Sequence, residues 1–448
     1  MSQTGTKKEK VKFLTLGCRL NQYETQAVRE DLLRNDYEEA RKDETPDIFV
    51  INTCTVTSDA DRESRYLIRK CHRENPDAKV VVTGCYVERD YKTVAEIPGV
   101  THVVLNRQKS ELANLLGSCT QLTFQAAGNH VRSKADYVPL SISQFSGRRR
   151  AYIKIQDGCN HACTFCKVVL VRGKSRSRFV SEIVEEAKRL RDHGSLEIVL
   201  TGIQLGAYGL DLEPSLTLTD ILEPLSEIEG IERIRLSSIE PNDVTDSLIR
   251  AIREIPKMCH HLHIPLQSGS NEILKAMNRR YAKERYLDLI NRLRQGLEDF
   301  ILTTDVMAGF PGESDEHFKE TVDAVLAAQP FKLHIFPYSA REGTRAFQSK
   351  AVPQDIIKKR MGVLFQLESK LKRDIGSRYL GREFKILIED SSESDWLCGH
   401  THNYLPIRIP ASCEHKANDF ISVQIDQFQD NVFYGHVHSE TQMERSAL

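Results

Sequence analysis

The chain has 448 residues, 40% hydrophobic and 28% charged, with a formal net charge of −1. That is an ordinary composition with room for two or three domain cores, and the balanced charge by itself predicts no polyanionic partner. No apolar run approaches the ~20 residues that span a bilayer, and no hydrophobic segment follows the polar start MSQTGTKKEK, so a cytoplasmic protein is expected. The 11 cysteines therefore read first as metal ligands or redox groups, because disulfides are disfavoured in that compartment.

Three apolar runs come first, each ending in cysteine: VKFLTLGC at Cys18, DIFVINTC at Cys54 and KVVVTGC at Cys85. Polar stretches with helical spacing follow at about 22–34, 59–73 and 87–96. Strand, helix, strand, helix predicts a parallel α/β sheet, in which ligands gather at the carboxyl ends of the strands. One cysteine at such an end is most simply a packing residue. Three at equivalent ends predict a three-cysteine metal site. Cys71, Cys119, Cys259, Cys398 and Cys413 share no spacing and are assigned no role.

After a turn-rich stretch come six strand-like runs: RAYIKIQDGC, LEIVLTGIQLG, IERIRLSSIEP, HLHIPLQSGS, ILTTDVMAGFPGE and FKLHIFPYS. Amphipathic segments separate them. Six such units predict a barrel or partial barrel whose working residues lie in the loops after the strands. Those loops hold Thr201-Gly202, Ser237–Glu240, Gln267–Ser270 and Gly309–Glu313, which suit a polar cofactor across the barrel mouth. No GxGxxG or Walker pattern is present.

The first of these loops, DGCNHACTFC, carries Cys159, Cys163 and Cys166. Zinc would need His161 as a fourth ligand on an alternate residue, whereas zinc sites usually draw ligand pairs from separate turns. Three thiolates suit three irons of a [4Fe-4S] cube, leaving the fourth iron open to an exogenous ligand. Nine Lys/Arg against one acid lie between Phe145 and Val180, around this loop. Such a run is either a solvated face or a positive approach for an anion. Within it, Arg172, Lys174, Arg176 and Arg178 are the candidates for nucleic-acid phosphate contacts.

From about residue 376 the tail reads as short strands, a small β-barrel of the kind that binds oligonucleotides. It carries six Lys/Arg against eleven Asp/Glu. Phosphate binding there needs Arg378, Arg382, Lys385 and Arg408 on one face. Its five histidines read as exposed barrel residues.

The spacing C-x3-C-x2-C, with Phe165 before the last cysteine, resembles the radical S-adenosylmethionine (AdoMet) superfamily. The likeness runs from about residue 10 to 440. CRLNQYE, INTC, TGC, CNHACTFC, RGKSRSR, LQSGSNEILKAMNRRY, AGFPGE and FPYSAREGTRA resemble the methylthiotransferases. CRLNQYE, TGIQLGAYG and SSIEP look like the branch acting on threonylcarbamoyladenosine in tRNA. After Cys166 the chain has KVVLVRG where that family commonly has an Ile-Pro pair.

The resemblance implies an α/β chain in three parts. These are an N-terminal methylthiotransferase domain at 10–122, a radical AdoMet (βα)6-type partial barrel at 145–374 and a TRAM β-barrel at 376–441. It implies that Cys159, Cys163 and Cys166 hold a [4Fe-4S] cluster that binds and cleaves AdoMet. Cys18, Cys54 and Cys85 would hold a second [4Fe-4S] cluster carrying the sulfur, which a second AdoMet methylates before transfer to adenine C2. Thr201, Gly202, Glu240, Gln267, Ser268, Gly309, Gly312 and Glu313 are the expected AdoMet contacts. The implied partners are tRNA, an electron donor such as flavodoxin or ferredoxin, and a sulfur source, with no membrane. Two other acceptors fit the same family, isopentenyladenosine in tRNA and a ribosomal protein side chain. A zinc-stabilised RNA-binding protein without catalysis is the reading from another class.

Overall fold

Apolar runs without polar alternation make strands that are covered on both faces, as parallel sheets require. In the computed structural model, which describes residues 8–117, 140–145, 150–390, 395–411 and 414–437, the first such runs form one sheet. Its strands are β1 (Lys10–Thr15), β2 (Glu38–Glu39), β3 (Ile48–Thr53), β4 (Lys79–Gly84) and β5 (Val100–Val104). All pairs are parallel, in the order β2-β1-β3-β4-β5. The register sets Thr15 against Asn52 and Thr53 against Gly84, so the cysteines after β1, β3 and β4 emerge at one edge.

Helices Arg19–Arg34 and Ser58–Glu74 cover the first two expected helical stretches. The third, expected at about 87–96, is instead two short helices, Cys85–Arg89 and Tyr91–Ala95. Asp90 breaks it, accepting a 3.2 Å bond from the Thr93 N–H as the cap of the second piece. The edge strands β2 and β5 were not expected from the sequence. Cys119, Cys413, Arg148, Arg149 and His438 lie outside the described residues, as do 118–122 and 438–441 of the expected segments.

The second unit begins with β6 (Arg150–Lys154) and a short antiparallel ribbon of β7 (Gln156–Asp157) and β8 (Arg176–Ser177). β9 (Glu197–Thr201), β10 (Arg233–Leu236), β11 (His261–His263), β12 (Ile301–Ala308) and β13 (Lys332–Pro337) continue it. Two sheets, β10-β9-β6 and β11-β12-β13, are joined by the bridges Ile234↔Met258 and Ser238↔His263. Six parallel strands thus stand in a row, and no pairing joins β6 to β13 among the described residues. This is the expected partial barrel.

The tail closes into a barrel of β14 (Glu383–Asp390), β15 (Trp396–Thr401), β16 (Pro406–Pro410), β17 (Phe420–Gln429) and β18 (Val432–Val437). Ile386, Ile388, Ile409, Val423, Ile425 and Phe433 fill it. It docks on the amino ends of the partial-barrel strands. Arg233 donates to the carbonyls of His400 (2.9 Å) and Lys385 (2.6 Å), and Arg235 to that of His402 (3.2 Å). Burial at this seam pushes His402 down to about 4, so it is not the exposed histidine expected. Arg382 is paired with Asp299 at 2.6 Å and is likewise not free for phosphate.

Candidate functional site

Cys18 precedes the first helix, while Cys54 and Cys85 follow β3 and β4. The three line one cavity of about 330 Å³ with Phe165, Cys166, Lys167 and Asp305. Gly17 sits at φ +95°, and a Cβ there would lie 2.8 Å from Cys54 Cβ and 2.9 Å from its sulfur. Glycine is required twice over, for the left-handed turn and for the approach of Cys54. Gly17→Ala is therefore expected to displace Cys54 and cost about four of the eight irons of two cubes. Iron analysis checks this, and a full iron complement would refute it. Burial, with Cys85 and Cys18 adding to it, pushes the Cys54 thiol up to about 11. Burial also raises Cys85, against the pull of the Arg172 guanidinium.

The second cysteine loop leaves the β7–β8 ribbon. Gln156, fully buried, holds its base by donating to the Gly158 carbonyl (2.8 Å) and to Ser175 Oγ (2.8 Å). Its Oε1 accepts from the Ile203 and Gln204 N–H groups, both at 2.9 Å. Gln204 Oε1 accepts from Cys159 Sγ (3.3 Å) and the Asn160 N–H (3.2 Å), and Gln204 Nε2 lies 2.9 Å from His161 Nε2. Arg279 places a guanidinium nitrogen 3.5 Å from Cys163 Sγ and is ion-paired with Glu240. Burial pushes Cys159 up to about 11 and Cys166 up to about 12, with neighbouring cysteines adding to both. The loop lines a cavity of about 550 Å³ that also receives Lys174 and Arg345. Cys166 borders both this cavity and the one around Cys18, Cys54 and Cys85. The two thiol sets meet at that residue.

Residues 153–325 match the family described as Radical SAM superfamily, and residues 10–106 match Uncharacterized protein family UPF0004. The threonylcarbamoyladenosine tRNA methylthiotransferase MtaB of Bacillus subtilis (strain 168) is 38% identical over 89% of this chain and 89% of that protein. The protein of that name from Chlamydia pneumoniae is 36% identical over 95% of this chain and 97% of its own. The chain belongs to the radical AdoMet tRNA methylthiotransferase family. A tRNA-2-methylthio-N(6)-dimethylallyladenosine synthase from Saccharopolyspora erythraea is also similar, 33% identical over 84% of this chain and 77% of its own. The radical S-adenosylmethionine methyltransferase TsrM from Kitasatospora setae shares the fold. It has a TM-score of 0.54 at 16% identity, covering 73% of this chain and 72% of that one.

A radical AdoMet methylthiotransferase uses AdoMet and two [4Fe-4S] clusters, and the donor sets of this chain fit them. Each trio lines one cavity, Cys159, Cys163 and Cys166 the one and Cys18, Cys54 and Cys85 the other, and three thiols per cavity are the all-sulfur donors that such a cluster takes. Buried thiols with raised pKa values become thiolates when metal displaces their protons, so loading is coupled to proton release. The remaining described cysteines lie apart, Cys71 and Cys259 buried and Cys398 on the tail barrel.

The other expected contacts divide. Gln267 lines the first cavity and Glu240 lies beside Cys163 and His161. Gly202 packs against Gln156, its missing Cβ 2.8 Å from that amide oxygen. Thr201 and Ser268 are buried, and Gly269, after Ser268, donates to Thr321 Oγ1 at 3.0 Å. Gly309 and Gly312 hold positive φ in the turn after β12. Glu313 closes the same turn. Its Oε2 accepts from the Gly309 N–H (2.8 Å) and Arg360 (2.7 Å), which stiffens that turn, while its Oε1 is buried without a hydrogen-bond partner.

The phosphate candidates need correction. Arg172 and Arg178 are each 2% exposed. Arg172 is paired with Glu24 at 2.6 Å and Arg178 with Glu186 at 2.7 Å, so neither reaches a phosphate. Arg176 donates to the Arg172 carbonyl at 3.0 Å, and Lys174 alone of the four is exposed. Four cations of the run, Arg150, Lys154, Arg172 and Arg178, are held in internal ion pairs. Glu24, on the first helix, also meets Lys109 (2.5 Å) and Lys154 (3.1 Å). On the far side of the cavity Arg341 donates to the Thr55 carbonyl (2.9 Å) and Asp61 (2.7 Å). These two seams fix the first sheet against the partial barrel.

Gln156, Gln204, Arg279 and Arg341 had no assigned role in the sequence. Each lies inside a stretch singled out for other reasons, IQDGC, TGIQLG, NRRY and SAREG. Gln156, directly before the DGCNHACTFC loop, was the one available signal.

Proposed function

We propose that this chain adds a methylthio group to adenine C2 of threonylcarbamoyladenosine beside the anticodon of tRNA. The observation that carries this is the meeting of two three-thiol sets at Cys166, which borders both cavities, the one around Cys18, Cys54 and Cys85 being walled by both units. The acceptor follows the naming of the relatives at 35–38% identity.

Cys159, Cys163 and Cys166 would hold the cluster beside which AdoMet binds, and Cys18, Cys54 and Cys85 the second. When bound, these groups supply the electron that cleaves the AdoMet sulfonium and an open iron for the sulfur to be transferred. The chain's own part is placement. Gln156 and Gln204 shape the cysteine loop, Arg279 offsets thiolate charge at Cys163, and the Glu24 and Asp61 seams set the distance between the thiol sets. Lys174, with Arg176 behind it, is the proposed RNA phosphate contact, and the electron donor is a flavodoxin or ferredoxin. A sulfur source completes the partners, and the site of action is the cytoplasm. No described helix is long and apolar enough to cross a membrane.

Nucleoside mass spectrometry of tRNA from a deletion strain tests the acceptor. The 2-methylthio form of threonylcarbamoyladenosine should vanish and return with the gene. Loss of the isopentenyl-derived species alone would overturn the proposal.

A further inference from the structure

Asp305, His263 and His334 form a cluster that neither thiol set uses. They come from three neighbouring strands. The register places His263 against Thr303 on β11 and β12, and Asp305 against His334 on β12 and β13. Partners across parallel strands face the same way, and Thr303 and Asp305 are two residues apart, so all of these side chains share one face.

They meet there. His263 Nε2 lies 3.1 Å and His334 Nδ1 3.4 Å from Asp305 Oδ1. The three ligand atoms lie within 4.8 Å of one another, the one such trio among the described residues. Ligand atoms ~2.1 Å from a tetrahedral ion sit about 3.4 Å apart, so small side-chain adjustments close this trio on an ion. Thr303 Oγ1, 3.0 Å from His263 Nδ1, engages the outer nitrogen and turns Nε2 toward Asp305. Outer-shell partners of metal-binding histidines act in this way.

Charge and access agree. Among the described residues Asp305 is ion-paired only with the two imidazoles, with no Lys or Arg. Asp305 also lines the cavity that holds Cys18, Cys54 and Cys85, while the His334 side chain is 49% exposed. An ion can therefore reach the trio from solvent.

We propose that His263, Asp305 and His334 form a mononuclear site for a divalent transition-metal ion, separate from both thiol sets. Two imidazoles and one carboxylate are a nitrogen–oxygen donor set suited to zinc or iron(II), not the thiolate set of a cluster. Three protein ligands leave at least one position for water or an oxygen ligand from the cavity.

The test uses anaerobic protein with both thiol sets loaded, dialysed to equilibrium against radiolabelled zinc. His334→Ala and Asp305→Asn are compared with the parent. Loss of an outer-shell partner alone costs about 10–100-fold in affinity, so loss of a ligand should weaken zinc by at least that much. The parent should retain one zinc per chain more than either variant, and zinc K-edge absorption should show nitrogen and oxygen neighbours without sulfur. Equal zinc in all three proteins, or sulfur around the zinc, would overturn the proposal. Unchanged iron content in the variants shows that they remain folded. If Asp305→Asn fails to fold, His334→Gln at the exposed edge replaces it in the same comparison.

Discussion

Glu24→Ala is expected to destabilise the chain by about 3–5 kcal/mol, the cost of stripping one partner from a buried ion pair. Glu24 is 2% exposed and faces Lys109, Lys154 and Arg172 together. Without it Lys154 and Arg172 share Asp157, 3.3 Å from both, and Lys109 is left with the Asn52 amide oxygen at 3.3 Å. Burial alone would raise the Glu24 carboxyl, but Arg172, Lys109 and Lys154 outweigh it and hold it well below its ordinary value of 4.5. Lys109 is pulled down by its own burial, so the cage owes its strength to the sum of three cations and not to one pair. A depressed carboxylate stabilises the folded chain fully above its unfolded value. That contribution fades as pH falls from about 4.5 through the folded value. Denaturant unfolding at neutral pH measures the loss, and the parent should converge on the variant in acid. A change under about 1 kcal/mol at neutral pH would mean that the cage is solvated and the seam held elsewhere.

The second large effect separates the two thiol sets. Cys163→Ala should abolish both AdoMet cleavage and methylthio product. Cys54→Ala should abolish the product while AdoMet cleavage persists. Each variant should lose about four of about eight irons. Chromatography of the AdoMet fragments, beside nucleoside analysis, reads the two activities apart. Product formation by Cys54→Ala at the parent's rate would remove the first thiol set from the reaction.

The thiol sets were legible in the sequence for different reasons. Cys159, Cys163 and Cys166 fall within one loop, so spacing alone exposes them. Cys18, Cys54 and Cys85 are scattered, and only the repeated strand pattern shows that a parallel sheet gathers its strand ends. The register of Thr53 with Gly84 is the physical form of that inference. The charge run misled because a cation's partner can lie far away in sequence. Glu24 stands 148 positions before Arg172 and looks like an ordinary helix carboxylate. The His263, Asp305 and His334 trio was hidden likewise, since strand register, not spacing, decides which faces align. Glu313 belongs to a loop expected to contact AdoMet, and its pairing with Arg360 could not be read there because Arg360 lies on a later helix.

The small barrel grips the amino ends of the partial-barrel strands through Arg233 and Arg235, while both thiol sets stand beyond the carboxyl ends. Strand β12 runs eight residues between those ends, on the order of 26 Å. Any single ligand that touches both must be longer than that. A free nucleoside is too short, whereas a folded RNA stem is not. The fold thus acts as a ruler, and molecular length becomes the first filter on what can engage the whole chain at once.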